Sequence, residues 1–281
     1  MPSDLAGASF GLASAASWGA GDFTGGLASR RSPVLGVLAF GQAAGVSAIA
    51  AVALLTREPT PPVASLAWAV AAGAAGAVGL AALYRGLAVG QMAVVAPVSA
   101  VLSAAIPVGV GALLEGVPAP ARLLGFAFAL VGIWLVAGAG GREPGRGTAG
   151  LGLALVAGVG FGGFLVLMDR GARGGTFWPL VAARATSLGL ALAAALASRR
   201  PWVPPGRALP LVLSSGVLDA GGNAFFVLST QAGRMDVAAV TSSMYPASTV
   251  ALAALVLRER MSRRQATGVA AVLVAIALIA G

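Results

Sequence analysis

The chain contains no cysteine and no histidine, and its 18 cationic residues are all arginine. Without cysteine there are no disulfides, thiol nucleophiles or haem attachment, and without histidine there is no imidazole acid–base work. Together the two absences remove the usual zinc ligands, and neither a metal nor a cofactor is expected. Lacking lysine, the chain cannot form a Gly-x-x-x-x-Gly-Lys-[Ser/Thr] phosphate loop, which excludes an ATP-driven motor of that type. Charge is scarce as well: 10% of the 281 residues are charged against 58% hydrophobic, with a mean hydropathy of +0.91. A water-soluble domain carries roughly 25% charged residues. This chain cannot cover a surface that faces water.

What is present is a series of apolar runs, each close to the length of about 20 residues that crosses a bilayer as a helix. Ten spans fit: Leu5–Leu27, Val34–Leu55, Ala64–Leu83, Gln91–Leu114, Arg122–Ala139, Thr148–Met168, Trp178–Ala197, Ala208–Thr230, Asp236–Leu257 and Arg263–Ala280. Turn and charge signals separate them, as at Arg30-Arg31-Ser32-Pro33, Arg57-Glu58-Pro59 and Glu115-Gly116-Val117-Pro118. The net charge of +9 is spread as single or paired arginines between the runs, which fits membrane-edge anchoring and no nucleic-acid partner. Twelve arginines border the odd-numbered loops and five the even-numbered ones, which predicts cytoplasmic odd loops and both termini outside.

A repeat appears when the chain is shifted by 143 residues. Trp18-Gly19 then falls on Phe161-Gly162, Gly90-Gln91-Met92 on Gly233-Arg234-Met235, and Gly125 on Gly268. With one residue of slack, "LLEGVPAPARLLG" (Leu113–Gly125) meets "LRERMSRRQATG" (Leu257–Gly268). The expected organisation is a first repeat over 1–139, a connecting loop over 140–147 and a second repeat over 148–281. Five spans per half is an odd number, so the second half enters the membrane upside down. That is the plan of secondary transporters, which place a site near the midplane and alternate its access.

The segment "GQMAVVAPVSAVLSAAIPVGVGALLEGVPAPARLLGFAFALVGIWLVAG" (Gly90–Gly138) resembles the second part of an EamA domain of the drug/metabolite transporter superfamily. In that family a Pro-containing span ends in a Glu before a short loop, and a Gly-bearing span follows. Here these are Pro97, Pro107, Glu115 and Gly125, with Pro246, Glu259 and Gly268 in the second half. The resemblance implies an all-α integral membrane protein, ten helices in two inverted five-helix repeats around a central cavity. Its nearest likeness is to bacterial amino-acid exporters, including those of aromatic amino acids, in the inner (cytoplasmic) membrane. The partners it implies are a small-molecule substrate and the lipid bilayer, with a monomer admissible. Ten-helix relatives often have cytoplasmic termini, opposite to the arginine count.

Ionisable groups within spans are functional candidates by default. Asp219 lies near the middle of the eighth span with Asn223 one turn later, and together they offer an amine or proton site. Arg184, inside the seventh span, either pairs with Asp219 or holds a substrate carboxylate. Asp22 lies about 9 Å from the centre of its span by the helical rise. It is a second coupling candidate, although Leu165 takes the matching place in the second half. Thr241, Ser242, Ser243 and Tyr245 form a polar cluster beside Pro246, and Ser99 and Ser103 flank its counterpart near Pro97. Pro97, Pro107 and Pro246 are hinge candidates, since proline frees a carbonyl and bends a helix. Trp18, Tyr84 and Phe161 are candidates for an apolar side-chain pocket.

These features predict a secondary exporter of amino acids or similar metabolites. The alternative is a proton-coupled exporter of drugs or organic cations. An intramembrane enzyme is disfavoured for want of a nucleophile and base. A passive scaffold would need no central polar cavity.

Overall fold

A computed structural model describes residues 2–29, 32–89, 92–137, 151–199, 201–256 and 262–280. Regular structure among them is helical throughout: α1 (Pro2–Ser29), α2 (Val34–Leu55), α3 (Val63–Val89), α4 (Met92–Glu115), α5 (Pro120–Ala137), α6 (Leu151–Gly171), α7 (Phe177–Ala197), α8 (Leu209–Ala232), α9 (Met235–Ser242), α10 (Tyr245–Val256) and α11 (Arg263–Ala280). Among the described residues five segments are long and apolar enough to cross a membrane: Val34–Leu55, Val63–Leu83, Gly152–Gly174, Phe177–Ala197 and Gly206–Ala232. Val101–Leu114 and Leu123–Gly132 are shorter apolar helices. Large apolar side chains such as Leu55, Leu113, Phe128, Trp134, Leu196 and Leu255 lie exposed on the outside. Such a surface suits lipid and not water.

Helix occupies each of the ten expected segments, and α2 and α11 end where the apolar runs end. The ninth span differs, being two helices instead of one. Pro246 has no N–H to give the Ser242 carbonyl. The chain therefore turns at Ser243–Met244, with Ser243 N donating to Ala239 O (3.0 Å) and Met244 N to Thr241 O (3.3 Å). By contrast α4 runs unbroken through Pro97 and Pro107. The connection over 140–147 and Glu259 lie outside the described residues, as do the side chains of Tyr84, Pro97, Glu115 and Pro246.

Small residues set the packing, because lipid gives helices no hydrophobic reason to associate and close approach must supply the attraction. α1 packs along α8, α3 along α6, α2 on α7 and α8, α3 on α7, α4 on α6, α1 on α9 and α10, and α5 on α11. Along the α1–α8 seam Ser14 Oγ donates to Gly222 O (2.8 Å) and Ser17 Oγ to Leu218 O (2.6 Å). The residue numbers run in opposite directions, so the two helices are antiparallel. Where α3 meets α6, a Cβ on Gly160 would lie 2.6 Å from Gly79 Cα.

A close seam between α2 and α8 gives a first prediction. A Cβ on Gly216 of α8 would lie 2.0 Å from the carbonyl oxygen of Gly41 in α2, and backbone cannot step aside. Gly216→Ala is expected to cost about 1–3 kcal/mol through forced separation of the helices. Gly189→Ala, with nothing within 4 Å of the new methyl, is the neutral control. Thermal unfolding in detergent micelles compares the two.

Candidate functional site

The antiparallel register of α1 and α8 places polar groups in two rungs. Trp18 and Asp22 are one turn apart on α1, and Asn223 and Asp219 are one turn apart on α8. In the first rung Trp18 Nε1 donates to Asn223 Oδ1 at 2.9 Å. The indole also stacks on Phe226 (ring centroids 6.2 Å apart) and meets Tyr245 edge-on at 6.3 Å. Gly222 makes the space, since a Cβ there would lie 2.3 Å from the Trp18 ring. A tryptophan read from sequence as apolar lining is thus fixed at its polar end too.

The second rung is charged. Asp22 lies within electrostatic range of Asp219 and of Tyr245. It is exposed, and the Asp219 side chain is 47% accessible. Among the described residues Asp22 has no hydrogen bond or ion pair. Asp219 has one: its Oδ2 takes Arg184 Nη2 at 2.5 Å, and Arg184 Nη1 donates to Gln42 Oε1 at 3.0 Å. Arg184 is only 3% exposed, and its Nε has no partner. Gly45 of α2 leaves the guanidinium room, because a Cβ there would lie 2.6 Å from Nη1. The group holds two carboxyl groups and one cation.

The structure brings together Trp18, Asp22, Asp219, Asn223, Tyr245 and Arg184, and adds Phe226 and Gln42. Asn223 serves Trp18, whereas Asp219 serves Arg184, so the carboxylate–amide pair expected on α8 is split between two partners. Phe161 lies elsewhere, in the α3–α6 seam against Gly79. At the 143-residue offset that seam carries Phe161, Leu165, Gly76 and Leu80 in place of Trp18, Asp22, Asp219 and Asn223. Its outer side is an apolar groove of about 470 Å³, which suits lipid and not a polar substrate.

Every residue from Met235 to Met244 is buried, including Thr241, Ser242 and Ser243. Thr241 Oγ1 donates back to Val237 O at 2.6 Å, while Ser242 Oγ has no partner. Ser99, Ser103 and Pro107 are buried on α4.

The connections after α2, α4, α6 and α8 share the face that bears the N-terminus, and two ties there went unnoticed in the sequence. Arg234 grips Asp236 through Nε–Oδ1 (3.1 Å) and Nη2–Oδ2 (2.9 Å), and also donates to Gly116 O at 2.8 Å. Asp236 is completely buried, so this pair fastens the α8–α9 corner to the α4–α5 corner. Glu58 accepts from the backbone N–H groups of Thr176, Phe177 and Trp178 at the start of α7. The only sequence signal for that cap was that α7 carries no acid in its own first turn.

Fold and site define a multi-pass helical membrane protein with a charged, aromatic-walled site inside the bundle. Residues 148–281 match the model of the EamA-like transporter family. A solved crystal structure aligns with 97% of this chain and 95% of its own, at a TM-score of 0.78 and 20% identity, which shows a shared fold across both halves. No match is found among curated proteins.

Proposed function

We propose that the protein is a secondary transporter that exports amino acids or similar small metabolites by alternating access of two inverted five-helix repeats. The carrying observation is the unpaired, accessible carboxylate of Asp22 beside the rings of Trp18 and Tyr245, within a helix bundle. Asp22 receives the substrate ammonium, and the rings of Trp18, Phe226 and Tyr245 receive its apolar side chain. Arg184 holds Asp219 in place from behind. The packing supports the repeat: exchanging the halves turns α1 on α8 into α6 on α3, and α2 on α8 into α7 on α3, while α2 on α7 and α5 on α11 map onto themselves. The EamA-like second half supports transport over catalysis.

One observation favours a second reading, proton-coupled export of organic cations: the site has one carboxyl group more than it has cations. Either a monovalent cation or a proton balances the extra carboxylate in a medium where charge is costly. Purified protein in liposomes loaded with a radiolabelled amino-acid mixture, with and without a pH gradient, tests both. Release above empty liposomes is expected. Release of none of the amino acids overturns the leading reading, while movement of organic cations only under a gradient selects the second.

A further inference from the structure

We propose that Glu58 is the latch that holds the N-terminal face shut, and that its carboxylate must leave α7 before the site opens to that face. This role rests on the transporter reading above, but its geometry stands apart from the substrate site. The α2–α3 connection belongs to the first half and α7 to the second, so a bond between them opposes any separation of the halves.

The latch is dense. Glu58 Oε1 takes Thr176 N at 2.5 Å, and Oε2 takes Phe177 N at 2.9 Å and Trp178 N at 2.8 Å. Trp178 Nε1 closes the ring by donating to the Glu58 carbonyl at 3.0 Å. These N–H groups have no partner within a helix, and the positive end of the helix dipole favours an anion there. Gly175 lets the carboxylate sit close, with Oε1 3.3 Å from where a Cβ would be. Preceding the latch, Arg57 is held in the left-handed region (φ 52°), a conformation that non-glycine residues keep only when their surroundings impose it.

A second arrangement is already in place. Thr176 occupies the N-cap position of α7 but makes no cap bond, because its hydroxyl is turned to Gln231 Oε1 at 3.1 Å. Threonine is a good N-cap residue. When Glu58 leaves, the Thr176 hydroxyl can turn from Gln231 to the exposed N–H groups, so α7 stays capped in both states. The device is a change of cap from a carboxylate across the halves to a hydroxyl within one.

Among the described residues the opposite face carries no counterpart of this device. At the repeat offset the partner of Glu58 is Pro201, and the α7–α8 connection over 198–208 contains no acid. There α2 begins at Pro33, which has no N–H, and Gly36 packs on the Trp202 carbonyl. The asymmetry agrees with the accessibility of the site. Met235–Met244 are wholly buried toward the latched face, whereas Asp22 and Asp219, nearer the other face, remain accessible.

The absence of cysteine makes the test direct. Cysteines placed at the exposed Thr60 and Arg173 carry a spin-label pair across the latch, with no native thiol to remove. The native protein is expected to show one short distance population. E58Q and E58A are expected to add a longer one, with the open fraction rising about tenfold, the worth of a strong cap. E58D, which keeps a carboxylate, is expected to shift less than E58Q. Native distance distributions in both E58Q and E58A, in folded monodisperse protein, overturn the latch. Because the distances need no substrate, that failure is distinct from a failure to transport.

Discussion

Asp219→Ala is expected to destabilise the protein by about 3 kcal/mol, and more than Arg184→Met does. Desolvation sets the order. Asp219 is 47% accessible and can be hydrated when its partner is gone. Arg184 is 3% exposed, and without Asp219 it keeps only Gln42 Oε1 at 3.0 Å, with Nε already unsatisfied. A buried guanidinium cannot lose its proton to escape the cost. Arg184→Met removes the charge that is expensive to bury and leaves one that water can reach, so its cost is nearer 1 kcal/mol. The double variant Arg184→Met/Asp219→Ala is expected to recover most of the loss, because the buried guanidinium and its partner carboxylate are removed together. Thermal unfolding of the three variants in micelles forms a double-mutant cycle. A larger loss for Arg184→Met than for Asp219→Ala contradicts this account of the pair.

Asp22→Asn is expected to lower transport at least 100-fold while leaving the unfolding temperature unchanged or higher. The two halves of that expectation have one cause. Asp22 has no hydrogen bond or ion pair to lose among the described residues, and it lies in the field of Asp219. An amide of the same shape therefore removes a repulsion and breaks no bond. It also removes the carboxylate that, among the described residues of the site, is free to meet an ammonium or a proton. Asp22→Glu, which restores the charge on a longer stem, is expected to retain part of the activity. A folded Asp22→Asn protein with native flux places the site elsewhere.

Sequence pattern located helices well where composition alone decides. The apolar runs at Val34–Leu55 and Arg263–Ala280 became α2 and α11 with the same ends; charge and proline bound the first sharply on both sides, and clustered charge marks the start of the second. It did less well where a local backbone defect competes with an apolar run. The stretch from Asp236 to Leu257 has the length of one span, yet Pro246 divides it, although two prolines leave α4 intact. Site residues followed the same logic. Depth along a helix could be read from Asp22 and ranked it behind Asp219, but the α1–α8 register that brings the two together depends on contacts such as Ser14 with Gly222. Pattern can flag a serine and a glycine without saying that they meet. Trp18 showed a large ring in the membrane, whereas its acceptor, Asn223, lies 205 residues away. Glu58 is the extreme case: in sequence it marks a loop, and only the fold carries it to the start of α7.

The most direct measurement of the central claim is counterflow in liposomes, with native and Asp22→Asn protein assayed side by side using the amino acid that moves fastest. The α1–α8 site predicts transient accumulation of labelled amino acid with the native protein and none above empty liposomes with Asp22→Asn. Equal accumulation by the two folded proteins contradicts it.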